Sequence, residues 1–158
     1  MIKIQHLSKS FKGKLAVDDL SLEVGQGEVL GFLGPNGAGK STTMRMITGF
    51  IPPTGGSISV CGFDVLKDPI SAKRKIGYLP ESNPLYEDLY VVEYLHFLAT
   101  VHAIPLPSKR IEEVIVQTGL PSMQQKKIGF LSKGFKQRVG IAAAILHQPE
   151  LILLDEPT

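Results

Sequence analysis

The chain has 158 residues, of which 43% are hydrophobic and 20% are charged, and its formal net charge is +2. A chain of this size and composition can bury the core of one globular domain. The small net charge gives no electrostatic reason to expect nucleic-acid binding, and no apolar run reaches the roughly 18 residues of a membrane-spanning helix. The single cysteine, Cys61, excludes an internal disulfide and indicates a reducing compartment.

The first half of the chain predicts strands on both sides of a glycine-rich loop. Strands are predicted at 2–7 and 15–24, and the continuous apolar run 29–33 predicts a strand that is buried on both faces. A helix is predicted from Lys40 to about Thr48, and a further strand at 57–61.

The second half predicts helices set between two further strands, which indicates an α/β fold. A strand is predicted at 76–79, and apolar residues at helical spacing predict a helix at 91–103. The next helix is predicted at 108–118, with Ser108 as its N-cap. Ser132 is predicted to open a long helix to about residue 147, and 151–154 is predicted to be a fully buried strand.

The glycine-rich loop matches the complete Walker A pattern, because residues 34–41 read Gly-Pro-Asn-Gly-Ala-Gly-Lys-Ser. Glycines let the backbone wrap closely around a phosphate group, and the helix that follows presents its positive N-terminal end. Lys40 is predicted to contact the β- and γ-phosphates of ATP, and Ser41 to hold Mg²⁺. The predicted nucleotide contacts are Gly34, Pro35, Asn36, Gly37, Ala38, Gly39, Lys40, Ser41 and Thr42.

The end of the chain has a Walker B pattern, in which the apolar run 151–154 precedes two acidic residues. Asp155 is predicted to hold Mg²⁺ through water, and Glu156 to orient and polarise the water that attacks the γ-phosphate. Glu156 and Lys40 are therefore the candidate catalytic residues. An acidic pair after a strand can also be a solvated turn, but a Walker A loop upstream favours the catalytic interpretation.

The segment 131–138 reads Leu-Ser-Lys-Gly-Phe-Lys-Gln-Arg, and the chain ends Asp-Glu-Pro-Thr. Both resemble motifs of ABC ATPases, although Lys133 and Phe135 stand where the usual signature has Gly and Gln. The resemblance implies a P-loop NTPase (RecA-like) core with a mostly parallel sheet, N-terminal antiparallel strands and an inserted helical subdomain. It assigns residues 1–82 and 129–158 to the ATP-binding core and 83–128 to the helical subdomain, in one ABC domain over 1–158.

The resemblance also implies further site residues. In the family, two ATP-binding subunits form a head-to-tail dimer, so Ser132 and Gly134 are expected to contact the γ-phosphate of ATP held by the partner. Phe11 stands at the position of the family's adenine-stacking aromatic; its alternative role is a core phenylalanine. Glu81 stands at the position of a glutamine that touches Mg²⁺.

The sequence is therefore interpreted as the ATP-binding and ATP-hydrolysing subunit of an ABC transporter. Residues 77–86 look most like the gliding-motility-type subunits of the ABC-2 export group. This resemblance implies an integral membrane permease subunit as partner, a cytoplasmic location at the inner face of the membrane, and no nucleic acid. A soluble ABC ATPase of translation or DNA repair, and a non-catalytic nucleotide-binding regulator, remain the alternatives.

Complete members of the family continue beyond Walker B with a D-loop, more core strands and a switch histidine. The domain is thus expected to be incomplete at its C-terminus, and we expect the 158-residue chain alone to hydrolyse ATP weakly or not at all. A phosphate-release assay on the purified chain tests this expectation. Turnover as fast as that of a full-length subunit would contradict it.

Overall fold

The computed structural model describes residues 1–156, so the Pro157 and Thr158 of the C-terminal motif lie outside the described residues. The chain divides into two compact units, Met1–Ile76 and Gly77–Thr158, each of which is described by itself. The predicted division into a core at 1–82 and 129–158 and a helical subdomain at 83–128 stays a prediction.

The first unit is built on a four-stranded antiparallel sheet in the order β2-β1-β3-β4. Its elements, in chain order, are β1 (Ile2–Phe11), β2 (Lys14–Val24), helix α1 (Lys40–Ile47), β3 (Gly55–Val60), β4 (Phe63–Asp64) and α2 (Pro69–Arg74). Strands β1 and β2 form a hairpin whose two turn residues, Lys12 and Gly13, both have positive φ angles. Such turns follow the natural twist of a hairpin.

One side of this sheet forms the core of the first unit. Apolar residues that alternate along β1 and β3 point to the same face, because side chains alternate between the two faces of a strand. Helix α1 packs against β2 and β3 and contributes Met46 and Ile47. The buried apolar residues of the first unit are Ile2, Ile4, Leu7, Val17, Met46, Ile47, Ile58, Val60, Val65, Ala72 and Ile76.

The strand that we predicted at 29–33 is absent from the described residues. Residues 28–35 form neither a helix nor a strand, and the side chains of Val29 and Leu33 are 100% and 96% exposed. An apolar run forms a buried strand only where neighbouring strands supply hydrogen-bond partners and cover its faces. Within residues 1–156 no strand pairs with this run, so the prediction of a strand buried on both faces is wrong here.

The second unit combines a small sheet with three helices. Its elements are β5 (Ile76–Leu79), α3 (Val91–Val101), α4 (Pro107–Gln117), a 3₁₀ turn at Ile128–Phe130, α5 (Lys133–Ile145) and β6 (Leu151–Leu154). The N–H of Asp155 donates to the carbonyl of Leu79 at 2.9 Å, so the C-terminal ends of β5 and β6 lie together and the strands run parallel.

Two predictions for this unit need correction. Helix α4 begins at Pro107 with Leu106 as its N-cap, not after Ser108, because proline at the first helical position has its φ angle preset for the helix. Strand β6 is half exposed, with 48% of Ile152 accessible, since only β5 pairs with it among the described residues. Ser132 does cap α5, as predicted: its hydroxyl accepts a hydrogen bond from the N–H of Phe135 at 3.4 Å.

The three helices of the second unit enclose one apolar core. Each helix supplies residues three or four positions apart, so that one face is buried and the other is exposed. The buried members are Val91, Tyr94, Leu95, Ala99, Ile111, Val114, Ile115, Leu120, Ile128, Leu131, Val139, Ala142 and Leu146. Among residues 1–156, none of the helices combines the length and the apolar character that crossing a bilayer requires.

Substitution of Leu95 by Ala is expected to lower the free energy of unfolding by about 2–5 kcal/mol, because it leaves a cavity at a position with 0% exposure. Urea unfolding followed by circular dichroism measures this loss. The control is Val116→Ala on the exposed face of α4, which should change stability by no more than about 0.5 kcal/mol. Equal losses in the two variants would contradict the assigned core.

Candidate nucleotide-binding site

The phosphate-binding loop of the first unit occupies residues 34–39, directly before helix α1. Gly37 and Gly39 have φ angles of 83° and 88°, which side chains other than glycine adopt only with strain. A Cβ atom on Gly39 would lie 2.5 Å from the carbonyl oxygen of Ala16 in β2. The loop therefore rests directly on the backbone of the hairpin, and only glycine fits this contact.

Lys40 lies across the loop that precedes it. Its ammonium group donates to the carbonyl of Gly34 at 2.6 Å and to that of Pro35 at 3.1 Å. The Ala38 N–H donates to the same Pro35 carbonyl at 3.1 Å, which closes the loop into a turn. The result is one full positive charge at the N-terminus of a helix, where the backbone also favours an anion.

The first turn of α1 contains three consecutive hydroxyl residues with different surroundings. Ser41 and Thr42, both predicted contacts, are half-buried, whereas Thr43 is buried. The Thr43 hydroxyl donates to the carbonyl of Gly39 at 2.9 Å and so pins the end of the loop to the helix. Sequence reasoning missed Thr43, because three adjacent hydroxyl residues do not reveal which one faces the protein interior.

Phe11 lies at the end of β1, next to the hairpin turn, and 47% of it is exposed. Its alternative role as a core phenylalanine is therefore wrong. One face of the ring is covered by Lys9, whose ammonium group lies 5.1 Å from the ring centroid and donates to the carbonyl of Pro52 at 2.6 Å.

Phe11 and the phosphate loop share one support. Phe11 pairs with Lys14 in β2, and Ala16, which contacts Gly39, follows two residues later on the same strand. Two residues of strand span about 7 Å. The structure thus brings the predicted adenine and phosphate contacts together on one hairpin.

The second unit holds the acidic residues at the C-terminal ends of its paired strands. Asp155 directly follows β6 and is only 4% exposed. Glu156 comes next, is exposed and has a φ angle of 49°. Glu81 is exposed and lies two residues beyond Leu79, whose carbonyl accepts the Asp155 N–H. The strand pairing therefore brings all three carboxyl-bearing residues to one sheet edge.

The same donor types that Mg²⁺ prefers are present, namely carboxylate and hydroxyl oxygens. Within the part of the chain that the structure describes, no group of three His, Cys, Asp or Glu side chains is close enough to hold a metal ion. Mg²⁺ at nucleotide sites usually keeps several waters and is held by one or two protein ligands together with phosphate oxygens.

The signature segment opens helix α5 on the surface of the second unit. Ser132 and Gly134 are both exposed, and a Cβ atom on Gly134 would meet nothing within 4 Å. The N-terminal N–H groups of a 13-residue helix are thus presented on an open surface. The phosphate loop and Phe11 belong to the first unit. Ser132, Gly134 and the three acidic residues belong to the second unit. A joint action of the two groups stays a prediction.

The α/β fold and the loop geometry define a P-loop nucleotide-binding protein. The family model described as ABC transporter matches residues 17–158, so the chain belongs to the ABC transporter family.

Two curated relatives match over the whole chain. The linearmycin resistance ATP-binding protein LnrL of Bacillus subtilis (strain 168) is 39% identical over 160 residues. The bacitracin transport ATP-binding protein BcrA of Bacillus licheniformis is 42% identical over 158 residues. The match covers 51% of each relative, so this chain spans about half of their length.

Solved structures agree with this family. A structure described as the ATP-binding subunit of an ABC transporter superposes with a TM-score of 0.91 and 31% identity, over 99% of this chain and 66% of the other. A dimeric ATP-binding cassette in a post-hydrolysis state with ADP and Pi superposes with a TM-score of 0.90 and 28% identity, over 100% and 75%. The chain thus has the P-loop NTPase fold of ABC ATPases.

Substitution of Gly39 by Ala is expected to lower ATP affinity about tenfold or more, because a left-handed residue with a Cβ costs roughly 1–2 kcal/mol and the Ala16 carbonyl adds a steric overlap. Isothermal titration calorimetry with ATP measures the effect. The matched control is Gly27→Ala, a position that also has a positive φ but no neighbour within 4 Å of an added Cβ, and that lies outside the hairpin turn beside Phe11. This control should bind ATP like the unsubstituted protein, and equal losses in both variants would contradict the proposed contact.

Proposed function

We propose that the full-length protein is the ATP-binding and ATP-hydrolysing subunit of an ABC exporter. The observation that carries this proposal is the phosphate loop, which rests on the β2 backbone at Gly39 and holds the Lys40 ammonium group across its own carbonyls. A loop that is already ordered in this way loses little conformational entropy when the ligand binds. This favours tight binding of a phosphate chain.

Binding of ATP uses the residues of the first unit. The loop N–H groups and the start of α1 bind the β- and γ-phosphates, and Lys40 exchanges its carbonyl partners for phosphate oxygens. The open face of Phe11 stacks on the adenine, while Lys9 covers the other face of the ring. Stacking of this kind contributes about 1–3 kcal/mol per base.

The residues that would hold Mg²⁺ are Ser41, Asp155 and Glu81. A hydroxyl and two carboxylates are suitable oxygen ligands, and the bound ion neutralises the charge that develops on the phosphates. Burial of Asp155 keeps its carboxylate in a defined position. Its backbone hydrogen bond to Leu79 adds to this by tying it to the neighbouring strand.

Hydrolysis is assigned to Glu156, which follows Asp155 at the same sheet edge. Its carboxylate orients the attacking water and accepts its proton as the water attacks the γ-phosphate in line. The position of this carboxylate matters as well as its ability to accept a proton, because phosphoryl transfer depends on how the attacking water is oriented.

The assembly that we propose is a head-to-tail dimer bound to an integral membrane permease at the inner face of the membrane. Ser132 and Gly134 would contact the γ-phosphate of ATP held by the partner subunit, and their exposure at the start of α5 supports this role. A related cassette has been solved as a dimer, and two relatives are named for resistance and transport. Export by the whole complex follows as the proposed physiological role.

Substitution of Glu156 by Gln in the full-length protein is expected to lower kcat for ATP hydrolysis about 10²–10⁴-fold, because the amide no longer accepts a proton. Binding of Mg-ATP should be retained, whereas Lys40→Ala should weaken it. Phosphate release and calorimetry measure the two properties. Glu112→Gln, on the exposed side of α4, is the matched control and should behave like the unsubstituted protein. Hydrolysis that survives Glu156→Gln would contradict the catalytic assignment.

A further inference from the structure

The loop that carries Glu81 lies between β5 and α3. Hydrogen bonds fix it on both sides of Glu81, at Leu79 and at Asn83. At its start, the Leu79 carbonyl accepts the N–H of Asp155 at 2.9 Å. Further on, the side-chain amide of Asn83 donates to the carbonyl of Lys136 in α5 at 3.1 Å. Glu81 is the middle residue between these two anchors. Because two residues of chain span at most about 7 Å, fixing Leu79 and Asn83 confines Glu81 to a small region.

The contact between Asn83 and α5 depends on Gly140. This glycine lies one helical turn after Lys136 and is buried. A Cβ atom at this position would overlap the amide nitrogen of Asn83, and it would lie 2.8 Å from Asn83 Cγ and 2.5 Å from Leu79 Cδ1. Glycine inside a helix is less favourable than alanine by about 1 kcal/mol. The close approach of the Asn83 amide accounts for glycine here.

The rest of the loop contacts residues on both sides of Ser132. The Lys136 ammonium group pairs with the Glu87 carboxylate at 2.6 Å. The Glu87 carbonyl accepts the N–H of Gly129 at 2.9 Å, and the Leu89 carbonyl accepts the N–H of Ile128, also at 2.9 Å. These bonds hold the far end of the loop without using Asn83, so the contact between Asn83 and α5 is the anchor next to Glu81.

We propose that Asn83 is a positioning residue. Its side-chain amide packs against the backbone of α5 at Gly140 and thereby holds Glu81 beside Asp155, where Glu81 contacts the metal ion of bound Mg-ATP. This inference rests on the proposed function. It assigns roles to Asn83 and Gly140 that the motifs themselves do not contain. The metal contact belongs to Glu81, and Asn83 acts only through it.

The test measures how Mg²⁺ strengthens nucleotide binding in the full-length protein. Thermal unfolding with a non-hydrolysable ATP analogue is recorded over a range of Mg²⁺ concentrations, and in EDTA. Asn83→Ala should raise the half-saturating Mg²⁺ concentration about two- to tenfold, the factor that one neutral hydrogen bond is worth. Affinity for the analogue in EDTA should not change. Gly140→Ala should act in the same direction, because its Cβ displaces the amide.

A variant of Glu81 shows whether Asn83 acts through that residue. Glu81→Ala, which removes the side-chain oxygens, should itself raise the half-saturating Mg²⁺ concentration, and Asn83→Ala should add little in the Glu81→Ala background. The matched control is Thr118→Val, which removes another half-buried bond from a side chain to a backbone carbonyl, from Thr118 Oγ1 to Val114 at 2.8 Å. This control should lower the melting temperature without changing the Mg²⁺ dependence.

Three results would overturn the inference in a protein that binds the analogue with Mg²⁺. The first is an unchanged Mg²⁺ dependence in folded Asn83→Ala. The second is an equal loss of affinity with and without Mg²⁺, and the third is full additivity with Glu81→Ala. If the unsubstituted protein shows no Mg²⁺-dependent binding at all, the proposed function fails instead. The two failures are therefore distinguishable.

Discussion

The close approach of Gly39 to the Ala16 carbonyl is the constraint on which the nucleotide site depends. It sets the phosphate loop on the backbone of a hairpin that is itself held by a four-stranded sheet. The same hairpin carries Phe11 at its turn, so one rigid element presents both an aromatic surface and a cationic loop. Rigid support of this kind lowers the ordering cost of binding, because the binding groups are in place beforehand.

In the second unit, the pairing of β5 with β6 positions the acidic residues. Asp155 and Glu81 are far apart in sequence, and they share an edge only because β5 and β6 run parallel and end together. The loop after β5 is then fastened to α5 through Asn83 and Gly140. A ligand on a fastened loop keeps its position, which is what a metal with strict geometry such as Mg²⁺ requires.

Local signals in the sequence predicted local structure well. The start of α1 at Lys40 and the Ser132 cap of α5 were both predicted correctly, because each depends on residues within one helical turn. The start of α4 was misplaced by the same logic, since Ser108 resembled a cap while Pro107 began the helix. Residues 29–33 failed for another reason: an apolar run does not carry its own strand partners.

By itself, the sequence determined the class of chemistry, because spacing along a loop and its helix is a local property. The order Gly34 to Ser41, followed by α1, already specifies a phosphate site, and the acidic pair after an apolar run already suggests hydrolysis. Only the tertiary structure shows that Thr43 is the buried hydroxyl residue and that Gly140 is the glycine against which the Asn83 amide packs. It also shows which acidic residues lie at the C-terminal ends of the paired strands. These depend on contacts between residues distant in the chain, and no local pattern of residue types encodes such contacts.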